Sequence, residues 1–137
     1  MQKVLLLDDS KAVNNMNEAL LKSMELFEEI HKYSNASEAL EYLKVNSNAL
    51  PEFIFLDLSM PKVDGFDFLE NYVQLKLGVN SKCPPRIIIV SDQLFENNNI
   101  DNTKKFKLIG VVNHLRKPMD KEDILDIMEE YIEELDS

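Results

Sequence analysis

Apolar residues along this chain gather in short uninterrupted runs, separated by stretches of longer period. The runs are Val4–Leu7, Phe53–Leu56 and Ile87–Val90, with a more mixed one at Val111–Leu115. Short β-branched or aromatic runs without polar alternation suit strands covered on both faces. Ile30–Tyr33 alternates apolar and polar residues instead, as an edge strand would. Between these runs the period lengthens. Val13, Met16, Leu20, Met24 and Phe27 recur three or four apart and predict a helix. Asn35 followed by Glu38 reads as a capping box, with Ala36, Ala39, Leu40 and Leu43 as the stripe behind it. Asp120 can cap a last helix whose stripe is Ile124, Ile127, Met128, Tyr131 and Leu135. The stretch 93–110 is a poorer helix former, because Asn97, Asn98 and Asn99 compete for backbone hydrogen bonds. A helix is expected there only near Ile100–Leu108. Strands alternating with helices predict an α/β fold: a parallel sheet, right-handed crossovers and helices on both faces.

Composition narrows the class. The chain has 137 residues, the size of one ordinary domain, and 45% of them are hydrophobic, enough for one core. A formal net charge of −10 argues against nucleic acid as a partner, since phosphate neutralisation needs clustered Lys and Arg. The single cysteine, Cys83, cannot form an internal disulfide and suits a reducing compartment. No apolar run approaches the ~20 residues of a membrane span. Val4–Leu7 is too short for a signal-peptide core. A cytoplasmic domain without membrane contact is expected.

The candidate chemistry lies at the strand ends. Val4–Leu7 runs into Asp8 and Asp9, Phe53–Leu56 into Asp57, Ile87–Val90 into Ser91, and Val111–Leu115 into Arg116, Lys117 and Pro118. In an open parallel sheet these carboxyl ends share one edge, where ligands bind at the point of strand-order reversal. Singly, each residue has a plainer role. Asp8 or Asp9 could cap the helix that follows, Ser91 the next one, and Lys117 could be a solvated lysine. Together they converge three carboxylates, a hydroxyl and an ammonium on one crevice. Carboxylates so gathered repel unless a cation joins them, and a hard divalent ion such as Mg²⁺ takes such ligands alongside phosphate oxygens.

"VLLLDDS", "FLDLSMPKVDGF", "IIIVSD" and "GVVNHLRKP", in that order, resemble the motifs of the receiver domain of two-component response regulators. The resemblance runs from Lys3 to about Leu135. It implies a doubly wound five-stranded sheet of flavodoxin-like order 2-1-3-4-5, and one stand-alone receiver domain over residues 1–137 with no output domain. It implies a signalling switch in which Asp57 accepts a phosphoryl group from a phosphohistidine of a sensor histidine kinase or histidine phosphotransfer protein. Mg²⁺ would be held by Asp9, Asp57 and the backbone carbonyl of Ser59, with Asp8 acting mainly through a water. Lys117 and Ser91 would meet phosphoryl oxygens, Ser91 by moving. Gly65 would serve the turn after Met60-Pro61, and the Lys117–Pro118 bond would be cis. A downstream protein would read the altered surface. Self-phosphotransfer and autodephosphorylation are the only reactions implied.

Two positions depart from the family pattern. The switch aromatic lies three residues before the lysine, where this chain has His114. A rotamer switch and a surface histidine both fit that residue. Asp92 follows Ser91 where a small residue is usual; it either crowds the phosphoryl group or points to solvent as a cap. Glu129, Glu130, Glu133 and Glu134 read as a solvated helix face, and Lys104, Lys105 and Lys107 as exposed lysines that could recruit an acidic partner. Two other classes compete. A metal-dependent phosphatase with an Asp nucleophile would place a second Asp two residues later, but Ser59 and Ser10 stand there. A nucleotide- or flavin-binding module would need a Gly-rich phosphate loop, and the chain has only Gly65, Gly78 and Gly110.

Overall fold

The computed structural model describes residues 2–57, 65–77, 84–92 and 110–135. Its elements are β1 (Lys3–Leu7), α1 (Lys11–Ser23), β2 (Glu29–Tyr33), α2 (Ala36–Val45), β3 (Phe53–Asp57), α3 (Gly65–Gln74), β4 (Arg86–Ser91), β5 (Val111–Arg116) and α4 (Lys121–Leu135). The strands form one sheet in the order β2-β1-β3-β4-β5, and every pairing is parallel. All five predicted strands form, with β2 at an edge. The expected helix near Ile100–Leu108, the lysines at 104, 105 and 107, Cys83 and Ser59 lie outside the described residues.

Side chains alternate across a strand, so each uninterrupted apolar run supplies two cores at once. Leu5, Leu7, Ile54, Leu56, Ile87 and Ile89 face α2 and α3. Val4, Leu6, Phe53, Phe55, Ile88 and Val90 face the opposite way, against Leu21 of α1 and Ile124, Ile127, Met128 and Tyr131 of α4. α3 was not legible from the chain's periodicity, although Phe68, Leu69 and Tyr72 supply its buried face.

Capping is local chemistry, and it mostly forms as predicted. Asn35 accepts the N–H of Glu38 at 3.2 Å. Asp120 accepts the N–H of Asp123 at 2.8 Å, and Asp123 accepts that of Asp120 at 3.0 Å, a reciprocal cap. Leu135, expected in the buried stripe of α4, is exposed.

Helix α1 departs from expectation. It ends at Ser23, so Met24 and Phe27 lie beyond it, and Met16 is exposed. Its buried residues are Asn14, Asn17 and Leu21. Neither Asp8 nor Asp9 is its N-cap: Ser10 is, accepting the N–H of Val13 at 3.2 Å. Asn14 explains the rotation of the helix. Its Nδ2 donates to the carbonyls of Asp8 at 3.1 Å and Tyr33 at 2.9 Å, tying α1 to the ends of two strands.

Strand β5 carries a bulge. Ile87 pairs with Val111 but Ile88 with Asn113, so Val112 is left over and exposed. An extra residue reverses which face the rest of the strand presents. Val111 therefore packs in one core and Leu115 in the other. His114 pairs with Ile89, on the face that Ser91 also takes by alternation. The turn into β5 needs Gly110, whose φ is +102° and whose carbonyl accepts the N–H of Ile87 at 2.9 Å. A Cβ there would sit 3.0 Å from the Pro85 carbonyl oxygen. Gly110→Ala should therefore cost roughly 1–3 kcal/mol, read as a shift of the denaturant midpoint at unchanged slope. An unshifted midpoint would remove the strain argument.

Candidate functional site

The chain leaves β1 outward to β2 and returns to β3, so strand order reverses between β1 and β3. The carboxyl ends of those two strands supply the acids. Carboxylate oxygens of Asp8, Asp9 and Asp57 all lie within 4.8 Å of one another. Asp8 and Asp57 are buried at 4% and 2% exposure, and Asp9 is exposed. Two buried carboxylates need a partner. Lys117, carried in by the loop after β5, supplies it: Nζ lies 2.8 Å from Asp8 Oδ2 and 3.4 Å from Asp57 Oδ2. It is thus no solvated lysine. Its main chain is fixed as well, since its N–H donates to the Ser91 carbonyl at 2.8 Å. The Lys117–Pro118 peptide is cis, as expected.

The electrostatics follow from this packing. Partial burial, then hydrogen bonding and repulsion from Asp8, then Asp57, raise the Asp9 pKa above its ordinary value. Burial alone would lower that of Lys117, but the hydrogen bond and charge of Asp8, then Asp57, outweigh it and raise it. Burial lowers that of His114, favouring the neutral ring.

The sheet brings Ser91 to the same edge, buried at 6% exposure. His114 is half-buried rather than on the surface, and its Nε2 lies 2.9 Å from Ser91 Oγ. Asp92 points to solvent. Sequence reasoning missed Ser10 and Asn14. Ser10 caps α1, and its N–H also donates to Asp8 Oδ1 at 2.9 Å, orienting that carboxylate. Asn14 and Asn17 line a small cavity with Asp8, Asp57 and Val90. Their spacing with Leu21 is helical, a signal hidden because two of the three residues are polar.

Carboxylate oxygens are hard donors, suited to Mg²⁺ rather than to softer metals. Three acids against one ammonium leave two negative charges, which a divalent ion would balance.

The response regulator receiver domain model matches residues 4–129. The chain belongs to that family. Receiver domains are phosphorylation-activated signalling switches of two-component systems; they bind Mg²⁺ at an acidic pocket and interact with histidine kinases and downstream targets. The chain is 31% identical over 133 residues to a protein-glutamate methylesterase/protein-glutamine glutaminase of Hydrogenovibrio crunogenus, covering 97% of this chain and 32% of that protein. It thus spans about a third of such relatives. Protein PilG of Pseudomonas aeruginosa is 28% identical, over 95% of this chain and 87% of its own. A two-component response regulator from Cytophaga hutchinsonii superposes with a TM-score of 0.80 at 20% identity, covering 97% and 98% of the two chains. The fold shared with such structures is the flavodoxin-like one expected. No helix among the described residues is long and apolar enough to cross a membrane.

The raised pKa of Asp9 ties its charge to stability. A carboxyl that binds protons more tightly when folded adds stability only below its unfolded pKa, and loses it as pH rises through the folded one. At neutral pH its charge is a liability. Asp9→Asn should leave the metal-free protein at least as stable at pH 7 while weakening Mg²⁺ binding, read from melting curves with and without the ion. Unchanged Mg²⁺ affinity would remove Asp9 from the ligand set. His114 has the opposite sign: its folded pKa lies below the ordinary 6.5, so its contribution is lost as pH falls from about that value through the folded pKa. His114→Phe should flatten that part of the acid-side stability profile.

Proposed function

We propose that Asp57 is the phosphoacceptor of this receiver domain. The observation that carries the reading is a carboxylate at 2% exposure, at the end of β3, beside Asp8, Asp9 and Lys117. An Asp57 carboxylate oxygen attacks the phosphorus of a phosphohistidine. The P–N bond breaks as the P–O bond forms, and the partner's imidazole leaves with the electron pair and takes up a proton. Positioning and charge neutralisation do most of the work in such transfers. Lys117, already 3.4 Å from Asp57 Oδ2, pairs with a phosphoryl oxygen. Ser91 donates to another.

Asp9, Asp57 and the Ser59 carbonyl would hold Mg²⁺, with Asp8 assisting through a water. When bound, the ion would offset the negative charge gathered at the site. The donor would be a sensor histidine kinase or a histidine phosphotransfer protein in the cytoplasm, and the output a downstream protein that reads the changed surface. On this reading the chain turns over no separate substrate. The absence of a second Asp two residues after Asp57 weighs against a phosphatase of the Asp-nucleophile type.

Incubation with a small phosphodonor and Mg²⁺ should add one phosphoryl group by intact mass, removable by mild base. Asp57→Asn should abolish the gain. Full labelling of that variant, or a base-stable label on a serine, would overturn the assignment.

A further inference from the structure

The contact between Ser91 and His114 can run in either direction. A serine hydroxyl has one proton and two acceptor lone pairs, and a neutral imidazole carries its proton on either nitrogen. With Nε2 bare, Ser91 must spend its proton on the ring to keep the 2.9 Å contact. It then has none for a phosphoryl oxygen, which only accepts. With the proton on Nε2, the ring donates to Ser91 Oγ and the serine's proton can turn elsewhere.

The surrounding backbone holds the two side chains against each other. The β5 bulge brings His114 onto the Ser91 face. The His114 N–H is held by Asn113 Oδ1 at 2.7 Å, and the Ser91 carbonyl by the Lys117 N–H at 2.8 Å. Both main chains are therefore anchored, and the side chains meet between neighbouring strands. Ser91 lies one residue beyond Val90, the register partner of Asp57.

We infer that His114 is a positioning residue: its Nε2–H donates to Ser91 Oγ in the phosphorylated protein and aims the serine's proton at the phosphoryl group on Asp57. A Phe at this place could fill the space but could not orient the hydroxyl. The inference rests on the phosphoacceptor reading of Asp57. The burial that favours a neutral ring leaves the Nε2–H tautomer available without a charge.

The test uses the whole chain with Mg²⁺ and beryllofluoride as phosphoryl stand-in. Long-range proton–nitrogen NMR reads the tautomer directly, and with only two histidines in the chain, His114→Gln assigns the signals. Nε2 should be protonated in the complex; a bare Nε2 overturns the inference. Beryllofluoride affinity gives an independent reading. His114→Phe should weaken it about tenfold, the worth of one such hydrogen bond, whereas His114→Gln, which keeps an N–H donor, should retain most of it. In a Ser91→Ala background His114→Phe should cost nothing further. An equal cost there would mean that the histidine acts through packing, and would also overturn the inference. Melting curves identify a variant that fails to fold, and the wild-type spectrum decides in that case. Beryllofluoride binding that survives Asp57→Asn would instead sink the phosphoacceptor reading. Loss in that variant, together with wild-type affinity in His114→Phe, sinks only the role of the histidine.

Discussion

Buried carboxylates of like charge repel across a medium that screens them poorly, and Asp8 and Asp57 are both buried within a few ångströms of one another. The ammonium of Lys117 is what makes that arrangement tolerable, because it reaches an oxygen of each. It can do so only if the loop after β5 is brought across the sheet edge. The pairing of β4 with β5 and the Lys117-to-Ser91 backbone bond accomplish this. The fold is thus organised around a charge imbalance at one edge. The imbalance is only partly offset, which suits a site built to take up a divalent ion and a phosphoryl group.

The opposite edge has a different character. There, Glu52, Arg86, Tyr131 and Glu134 join α4 to the strand starts: Tyr131 donates to Glu52 Oε2 at 3.0 Å, and Arg86 both pairs with Glu134 and lies over the Tyr131 ring. Opposite charges and a cation over an aromatic face are stabilising without further partners. That end sets two carboxylates against one guanidinium, while the other sets three carboxylates against one ammonium. The excess of negative charge is therefore larger at the end that carries Asp8, Asp9 and Asp57.

Helix α1 shows how the acidic end is kept in order. A fully apolar face would have packed on the core without fixing the strand ends. Asn14 instead donates to the carbonyls of Asp8 and Tyr33, and Ser10 holds Asp8 Oδ1 while capping the helix. Helix start, strand end and acidic residue are thus one hydrogen-bonded unit. A movement of α1 would displace Asp8, and through it the ion pair with Lys117.

Much of this was legible in the sequence, and the reason is local. Uninterrupted apolar runs require cover on both faces, so β1, β3 and β4 and the layers around them follow from residue type and length alone. Caps such as Asn35 and Asp120 act within three residues and need no tertiary context. The gathering of Asp8, Asp9, Asp57, Ser91 and Lys117 follows from parallel strands, which put all their carboxyl ends on one edge. The face of α1 was not legible, because a buried asparagine looks polar until the carbonyls that receive it are in place. Nor was the surrounding of His114. The bulge at Val112 is set by pairing with β4 and by Gly110 beneath the Pro85 carbonyl, and one extra residue exchanges the two faces of everything after it. Residue type and spacing told which groups meet at the sheet edge. Which side of the sheet His114 faces, and that it touches Ser91, was decided by strand register, a property of two distant segments together.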